Sequence, residues 1–217
     1  MLPFGIRAAE VEVVSVERGS KSVYVDVEAK GLFTEKSLDL LHRGFTTVVR
    51  YTVELWWARR NWFDRFLARR RATYRIEFDL IEARYLVTKN VEGQEGVTII
   101  YDDLDEALSD VGTFYGAMLS FPRTLGPRDR CYVAVWVESR ALTTEDMRDL
   151  GRWLEGLDAA DTPRPSEEGK EQDSPKGSSW LMETFLRLAG DLLASKHSQK
   201  ARMRSEKFSM ETLSVRE

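Results

Sequence analysis

The chain has 217 residues, of which 42% are hydrophobic and 31% are charged, and its formal net charge is -4. This composition favours one globular domain with additional segments, and the lack of a long apolar run excludes a membrane-spanning helix. Cys131 is the only cysteine, so the sequence excludes an intrachain disulfide and a cysteine-rich zinc site. The sequence therefore predicts no cofactor and no metal site.

The chain begins with MLPFGIRAA, which precedes the first run of β-branched residues. Residues 1–9 lack a basic start and a full apolar stretch, so two interpretations stay open: an ordinary leading arm, or the end of a signal sequence. Residues 10–158 carry the patterns of a β-rich α+β domain.

A β-hairpin opens this domain. Two β-branched runs flank the polar segment RGSKS, in which Gly19 suits a turn. In the second run Val23, Val25 and Val27 alternate with polar residues, which is the period of a strand with one buried face.

A short helix and a long strand follow the hairpin. Thr34 as the N-cap and Gly44 as the terminator bound a segment with helical spacing. The alternation from Thr46 to Ala58 then predicts a strand. Its expected buried face consists of Val49, Tyr51, Val53, Leu55 and Trp57.

The segment RRNWFDRFLARRR interrupts the alternation. One or two helical turns are predicted from the spacing of Trp62, Phe63, Phe66 and Leu67. A strand resumes at Tyr74, and its inward parity shifts past Leu80 and Ile81. Such a shift predicts a β-bulge.

The last elements of the domain are two strands and two helices. VTIIY predicts a short strand, and DDLDEALSDVG predicts an acidic helix with Asp102 or Asp103 as its N-cap. RCYVAVWVESRAL predicts a final strand, after which Thr143 or Thr144 begins a terminal helix. The whole pattern predicts a predominantly antiparallel fold, a curled sheet or a β-sandwich, with two or three short helices.

Three further segments follow the domain. Residues 159–179 are rich in proline and polar residues, which predicts a disordered linker, and residues 196–217 are predicted to be a basic, disordered tail. Between them, residues 180–195 predict an amphipathic helix that packs back, dimerises, lies on a membrane or docks into a partner. Its candidate docking residues are Trp180, Leu181, Phe185, Leu188 and Leu192.

Charge is segregated along the chain. Residues 50–75 hold eight arginines and two acids, a net charge of +6, whereas residues 76–112 hold ten acids and two bases, a net charge of -8. The sequence therefore predicts that the arginines form a charged corner rather than a nucleic-acid site, with Glu77, Asp79, Glu82 or the helix that begins at Asp102 as their partners. The candidate corner residues are Arg59, Arg60, Arg65, Arg69, Arg70 and Arg71.

The order of the elements resembles a bacterial family known as domain of unknown function 4390. The resemblance covers about residues 10–155 and rests on four segments: YVDVEAKGLFTEKSLDLLHRGF, YTVELWWARRNWFDRFLARRRATYRIEFDLIEARYLVT, YDDLDEAL and YVAVWVES. It implies a periplasmic or envelope-associated protein normally made with a signal sequence. It implies no cofactor and no catalytic residue. The chain departs from the family pattern in two ways: the complete signal sequence is missing, and the linker and the C-terminal helix are additions.

The sequence carries no catalytic, phosphate-binding or dinucleotide signature. The functional hypothesis is therefore a noncatalytic, envelope-associated binding or scaffold protein that engages a protein partner or a membrane component. Two alternatives stay open: a cytoplasmic protein-interaction module, and a carrier of a small apolar ligand in a cavity of the curled sheet.

Overall fold

A computed structural model describes residues 8–60, 62–121, 125–142 and 198–216. The predicted linker of residues 159–179, the predicted amphipathic helix of residues 180–195 and the terminal helix expected after Thr143 lie outside the described residues. In the described part, no helix has both the length and the apolar character that crossing a bilayer requires.

The described residues form ten strands and two helices. In chain order these are β1 (Glu10–Arg18), β2 (Ser22–Lys30), α1 (Glu35–His42), β3 (Thr47–Trp57), β4 (Arg65–Asp79), β5 (Arg84–Val91), β6 (Val97–Tyr101), α2 (Leu104–Val111), β7 (Thr113–Ser120), β8 (Arg130–Ala141), β9 (Ser198–Arg204) and β10 (Phe208–Ser209). The predicted α+β class with mainly antiparallel strands is confirmed.

The strands form two sheets that share one hydrophobic core. One sheet has the order β1-β2-β7. The other has the order β10-β8-β3-β4-β5-β6, with β9 also paired to β8. Every pair of neighbouring strands is antiparallel. Buried side chains of both sheets belong to a single core cluster.

Strand β3 lies at the centre of the larger sheet, between β4 and β8. The predicted inward set on β3 is confirmed for Val49, Tyr51, Val53 and Leu55, each fully buried, while Trp57 is partly buried. Burial of each such apolar side chain contributes roughly 1.5–3 kcal/mol, so the alternation of β3 is a main source of stability.

Both helices begin at the residues that the sequence indicates. The Thr34 hydroxyl accepts a hydrogen bond from the Ser37 amide at 3.1 Å, and the Asp103 carboxylate accepts one from the Glu106 amide at 3.0 Å. Of the two predicted caps for α2, Asp103 is therefore the one used. Each cap satisfies an amide that the first helical turn leaves without a partner.

Helix α2 packs against β4, β5, β6 and β7 and is held there by polar contacts. The buried Tyr51 hydroxyl donates a hydrogen bond to the Val111 carbonyl at 2.7 Å. Lys89 forms an ion pair with Asp110, and its ammonium group lies 5.1 Å from the centre of the Tyr74 ring. These contacts join the helix to β3, β4 and β5 at once.

Strand β7 is an element that the sequence analysis missed. It pairs with β2 through contacts such as Val25 with Ala117 and completes the smaller sheet. Gly116 has a φ of 67° and the pairing shifts register nearby, so the alternation of this strand is broken. A pattern based on period two fails at such an irregularity.

The predicted helical turns between β3 and β4 are wrong for Phe66 and Leu67. Both residues lie in β4, which begins at Arg65 and pairs with β3 from Arg65 to Ile76. The hydrogen bonds of the sheet outweigh the local helical spacing, since propensity is a weak preference that tertiary contacts override.

The predicted β-bulge at Leu80 and Ile81 is also wrong. Strand β4 ends at Asp79, and the chain turns through residues 80–83 into β5. The Asp79 carboxylate accepts hydrogen bonds from the Ile81 and Glu82 amides, and Ala83 has a φ of 54°. The parity shift therefore marks a tight hairpin, in which a short polar side chain stabilises the turn.

The structure differs from the expected disordered tail at residues 196–217. Strand β9 pairs with β8 there, and Ser205 exchanges hydrogen bonds with the Val133 backbone. Met210 is 2% exposed and belongs to the core. The sequence pattern does not indicate strand β9, because the segment is highly charged and only Ala201 and Met203 provide apolar alternation.

Replacing Tyr51 with Phe should destabilise the fold by about 1–3 kcal/mol, because the buried Val111 carbonyl then loses its donor. Urea unfolding measures this change. Tyr115→Phe is the matched control, since the Tyr115 hydroxyl is exposed, and it should change stability by less than about 0.5 kcal/mol. Equal effects of the two variants would contradict the anchoring of α2.

Replacing Met210 with Ala should cost about 2–5 kcal/mol, as expected for a buried methionine. Lys207→Ala, three residues away on an exposed position, should leave the urea midpoint almost unchanged. If Met210→Ala behaves like Lys207→Ala, the segment after residue 197 does not contribute to the core.

Candidate functional site

The hairpin of β3 and β4 ends in an exposed aromatic cluster. We call residues 58–60 and 62–66 the hairpin tip. Its side chains of Trp62, Phe63 and Phe66 are 71%, 85% and 43% exposed. Exposed large aromatic residues grouped in one place are uncommon on a protein surface and mark a site that contacts something else.

The hairpin tip is also positively charged. Arg59, Arg60 and Arg65 form no ion pair with any carboxylate in the described part of the chain. The Arg59 Nε donates a hydrogen bond to the Phe63 carbonyl at 3.0 Å, and its guanidinium lies 5.9 Å from the centre of the Trp57 ring. Arg59 therefore stabilises the backbone of the hairpin tip, and no carboxylate of the described residues pairs with its charge.

A buried carboxylate lies at the base of the hairpin tip. Glu54 is 4% exposed, yet both of its oxygens have a partner. Oε1 lies 2.6 Å from the Arg69 Nη2, and Oε2 accepts a hydrogen bond from the Trp56 Nε1 at 2.8 Å. A buried charge is stable only when it is paired in this way, so Glu54 fixes both neighbours.

A series of side-chain contacts that includes Trp56 extends across four strands. Phe66 on β4 meets Trp56 on β3 edge to face, with ring centres 5.6 Å apart. Trp56 is nearly parallel to Tyr132 on β8, at 6.5 Å and 6°. The Arg204 guanidinium on β9 lies 3.5 Å from the centre of the Tyr132 ring. We call Phe66, Trp56, Tyr132 and Arg204 the aromatic ladder.

Asp64 ties the hairpin tip to the aromatic ladder. Its Oδ2 accepts a hydrogen bond from the Tyr132 hydroxyl at 3.0 Å and lies 3.3 Å from the Arg204 Nη2. Burial raises the pKa of Tyr132, the hydrogen bond to Asp64 raises it further, and Arg204 acts in the opposite direction. The tyrosine therefore stays protonated and donates its hydrogen bond. Asp64, the single acidic residue of the hairpin tip, is already paired with Tyr132 and Arg204.

The predicted charged corner is only partly present. Of the six candidate arginines, Arg69 alone forms an ion pair with a described carboxylate, and its partner is Glu54 rather than Glu77, Asp79 or Glu82. The reason is strand length: β4 has 15 residues, so its ends lie about 46 Å apart at roughly 3.3 Å per residue. Arg59, Arg60 and Arg65 therefore lie far from Asp79 and Glu82, whereas Arg75, nearer to that end of β4, forms an ion pair with Glu77 at 2.9 Å.

The other charged cluster, at α2, is structural. Burial, followed by the Asp110 carboxylate, raises the pKa of Tyr101 to about 12. Burial also raises the pKa of the Cys131 thiol to about 12. Both groups are therefore held in their neutral, unreactive forms. The described residues include no group of three or more carboxylate, histidine or cysteine side chains arranged to hold a metal ion.

Sequence reasoning missed how the hairpin tip is held. It assigned Trp62 and Phe63 to one or two helical turns, and it expected Tyr132 only as part of a strand. A usable signal is the loss of alternation between Trp57 and Arg65, which occurs where a hairpin leaves the core. The candidate docking residues Trp180, Leu181, Phe185, Leu188 and Leu192 lie outside the described residues.

A family model described as "Domain of unknown function (DUF4390)" matches residues 7–142, which is more than half of the chain. This range contains the hairpin tip and both helices, whereas Arg204 of the aromatic ladder lies beyond it. No curated protein and no solved structure matches the chain.

Replacing Arg69 with Gln should cost about 1–3 kcal/mol, because it leaves the buried Glu54 carboxylate without its cationic partner. Arg71→Gln is the control, since Arg71 is exposed and has no described ion pair, and it should have almost no effect on urea unfolding. The double variant Glu54→Gln, Arg69→Gln should recover part of the loss; a strictly additive double variant would contradict the pairing.

Proposed function

The chain belongs to the family described as "Domain of unknown function (DUF4390)", and we propose that it is a noncatalytic, envelope-associated binding protein that docks on an anionic membrane surface through the hairpin tip. The observation that carries this proposal is the exposure of Trp62 and Phe63 beside arginines that have no carboxylate partner.

The aromatic side chains supply the apolar part of the contact. Tryptophan is enriched at the membrane–water interface, where its ring is amphipathic. Trp62 and Phe63 make no described ring contact, so their exposed surface is free to enter the region between headgroups and acyl chains. Full burial of one large apolar side chain contributes roughly 1.5–3 kcal/mol.

The arginines supply the electrostatic part. Each Lys or Arg near an anionic leaflet contributes about 1 kcal/mol. With Asp64 engaged by Tyr132 and Arg204, the charges of Arg59, Arg60 and Arg65 are available to lipid phosphates. The arginines and the aromatic side chains are adjacent, so one approach direction engages both.

The base of the hairpin tip reduces the cost of docking. Glu54, Arg69 and the aromatic ladder fix the strands from which Trp62 and Phe63 project. A contact surface that is already ordered loses less conformational entropy on binding than a flexible loop. Trp62 and Phe63 are also consecutive in the chain, so both lie at the same end of the hairpin before any contact forms.

Charge segregation along β4 supports one orientation. Asp79 ends the strand at the side opposite the hairpin tip, and Glu82, Asp102 and Asp103 follow nearby in the fold. An anionic surface attracts the basic end and repels the acidic end. The molecule would therefore stand on the membrane with its acidic end pointing away.

The carrier alternative receives less support. A cleft of ≈ 450 Å³ on the outer face of the larger sheet carries charged residues on its walls. Arg50, Glu138, Lys200 and Arg202 supply these charges, beside the apolar side chains of Trp136, Val137 and Ala201. Sites for small apolar ligands are mainly hydrophobic, with few polar groups.

The predicted amphipathic helix of residues 180–195 would add a second contact. Its expected apolar residues, including Trp180 and Phe185, suit an interfacial position. In this proposal the hairpin tip sets the orientation, and the helix reinforces the attachment.

Co-sedimentation of the full chain with phosphatidylglycerol-containing vesicles tests the proposal. Trp62→Ser with Phe63→Ser should weaken binding at least about tenfold, since about 1.4 kcal/mol corresponds to tenfold. Changing Arg59, Arg60 and Arg65 to Gln should weaken it roughly 100-fold at low salt.

Matched controls come from the other end of the molecule. Leu80→Ser with Ile81→Ser removes two exposed apolar side chains from the β4–β5 turn, and Lys30, Lys36 and Arg43 changed to Gln remove three exposed charges near α1. Both controls should bind like the unchanged protein. Equal losses in the controls, or equal binding to phosphatidylcholine vesicles, would overturn the proposal, as would tighter binding to an RNA or DNA oligonucleotide.

A further inference from the structure

Strand β6 is an edge strand of the larger sheet. In the described part of the chain it pairs with β5 only, over the five residues VTIIY. One side of β6 therefore presents backbone amide and carbonyl groups without strand partners. Its side chains are exposed as well, with Val97 55% and Ile100 57% accessible.

Natural proteins usually guard such an edge with charges, proline or a bulge. Edge strand β1 carries charged residues and a register shift between Val13 and Ser15. Strand β9 carries Lys200, Arg202 and Arg204. Strand β7 is distorted at Gly116. Strand β6 has no charged residue, no proline and a regular register.

The surroundings of β6 are acidic at both ends. Glu92 and Glu95 lie in the turn before it, and Asp102 and Asp103 follow it directly. Beyond Tyr101, a cleft of ≈ 570 Å³ runs beside α2. It is lined by Tyr101, Asp105, Glu106, Ser109, Asp110, Thr113 and Tyr115. Lys89 and Arg84 already pair with acids, and Arg70 lies beside Gly93 in the turn before β6.

We propose that β6 is a docking site for an extended, basic segment of a partner protein, which adds to the sheet as a further strand. The backbone edge supplies hydrogen bonds that do not depend on sequence, whereas side chains on alternate positions supply specificity. Val97 and Ile99 face one side and Thr98 and Ile100 the other, so apolar residues of the partner contact both faces.

The acidic residues at both ends of β6 favour a basic partner strand. Lysine or arginine residues flanking the apolar core of the partner strand would approach Glu95 at one end and Asp102 and Asp103 at the other. Opposite charges at the rim accelerate association and fix the register. This docking site is independent of the proposed membrane contact.

A second copy of the chain is a poorer occupant. Two β6 strands paired antiparallel about Ile99 would place Glu95 of each copy opposite Asp103 of the other. Like charges directly opposite one another are destabilising. The acidic ends therefore allow a basic strand and oppose self-pairing.

Fluorescence polarisation of the full chain with a labelled peptide, Lys-Val-Arg-Val-Lys-Val-Arg, tests the docking site. The peptide should bind, and Ile100→Lys should weaken binding by at least about tenfold, because a lysine on an edge strand blocks strand addition and repels a basic ligand. Val14→Lys, on edge strand β1, is the matched control and should bind like the unchanged protein.

Two further peptides separate strand addition from simple attraction. One has its central valine replaced by proline, which keeps the charge but removes a backbone donor. The other has glutamates in place of the basic residues. Both should bind at least about tenfold more weakly. Equal binding of either peptide, or an Ile100→Lys variant that binds normally, overturns the proposal.

Discussion

The hairpin tip depends on one interaction, the pairing of the buried Glu54 carboxylate with its neighbours. A charge that is 4% exposed requires partners on both oxygens, and those partners are Arg69 on β4 and the indole of Trp56 on β3. Trp56 in turn contacts Phe66 and Tyr132, so one desolvated charge aligns aromatic rings on three strands. The hairpin tip can carry exposed Trp62 and Phe63 because this base holds its shape without them.

Much of the fold follows from local patterns. The alternation of β3, the hairpin of β1 and β2 and the caps at Thr34 and Asp103 each depend on residues close in sequence, and the structure contains all of them. Two failures have local causes, namely the irregularity of β7 at Gly116 and the tight turn after Asp79, and the others concern strand pairing. Strand β4 replaces a helical turn because β3 pairs with it, and β9 forms because the edge of β8, about 65 residues earlier in the chain, accepts it.

The candidate site could be predicted in composition but not in geometry. The arginines between Arg59 and Arg71 were identified from sequence, yet Arg69 pairs with Glu54, and the expected partner Glu77 pairs with Arg75 instead. Sequence distance alone does not show whether ten residues span a turn or about 33 Å of strand. The exposure of Trp62 and Phe63 was equally hidden, since aromatic residues in a mixed pattern usually indicate a core.

The central claim is that the hairpin tip is the surface that meets the membrane. Hydrogen–deuterium exchange of the full chain, alone and with phosphatidylglycerol vesicles, tests it by locating the contact along the sequence. The account predicts slower exchange in peptides covering residues 58–66 and unchanged exchange at the acidic end, in residues 102–106. Slower exchange confined to residues 180–195, or to any segment other than the hairpin tip, would contradict it.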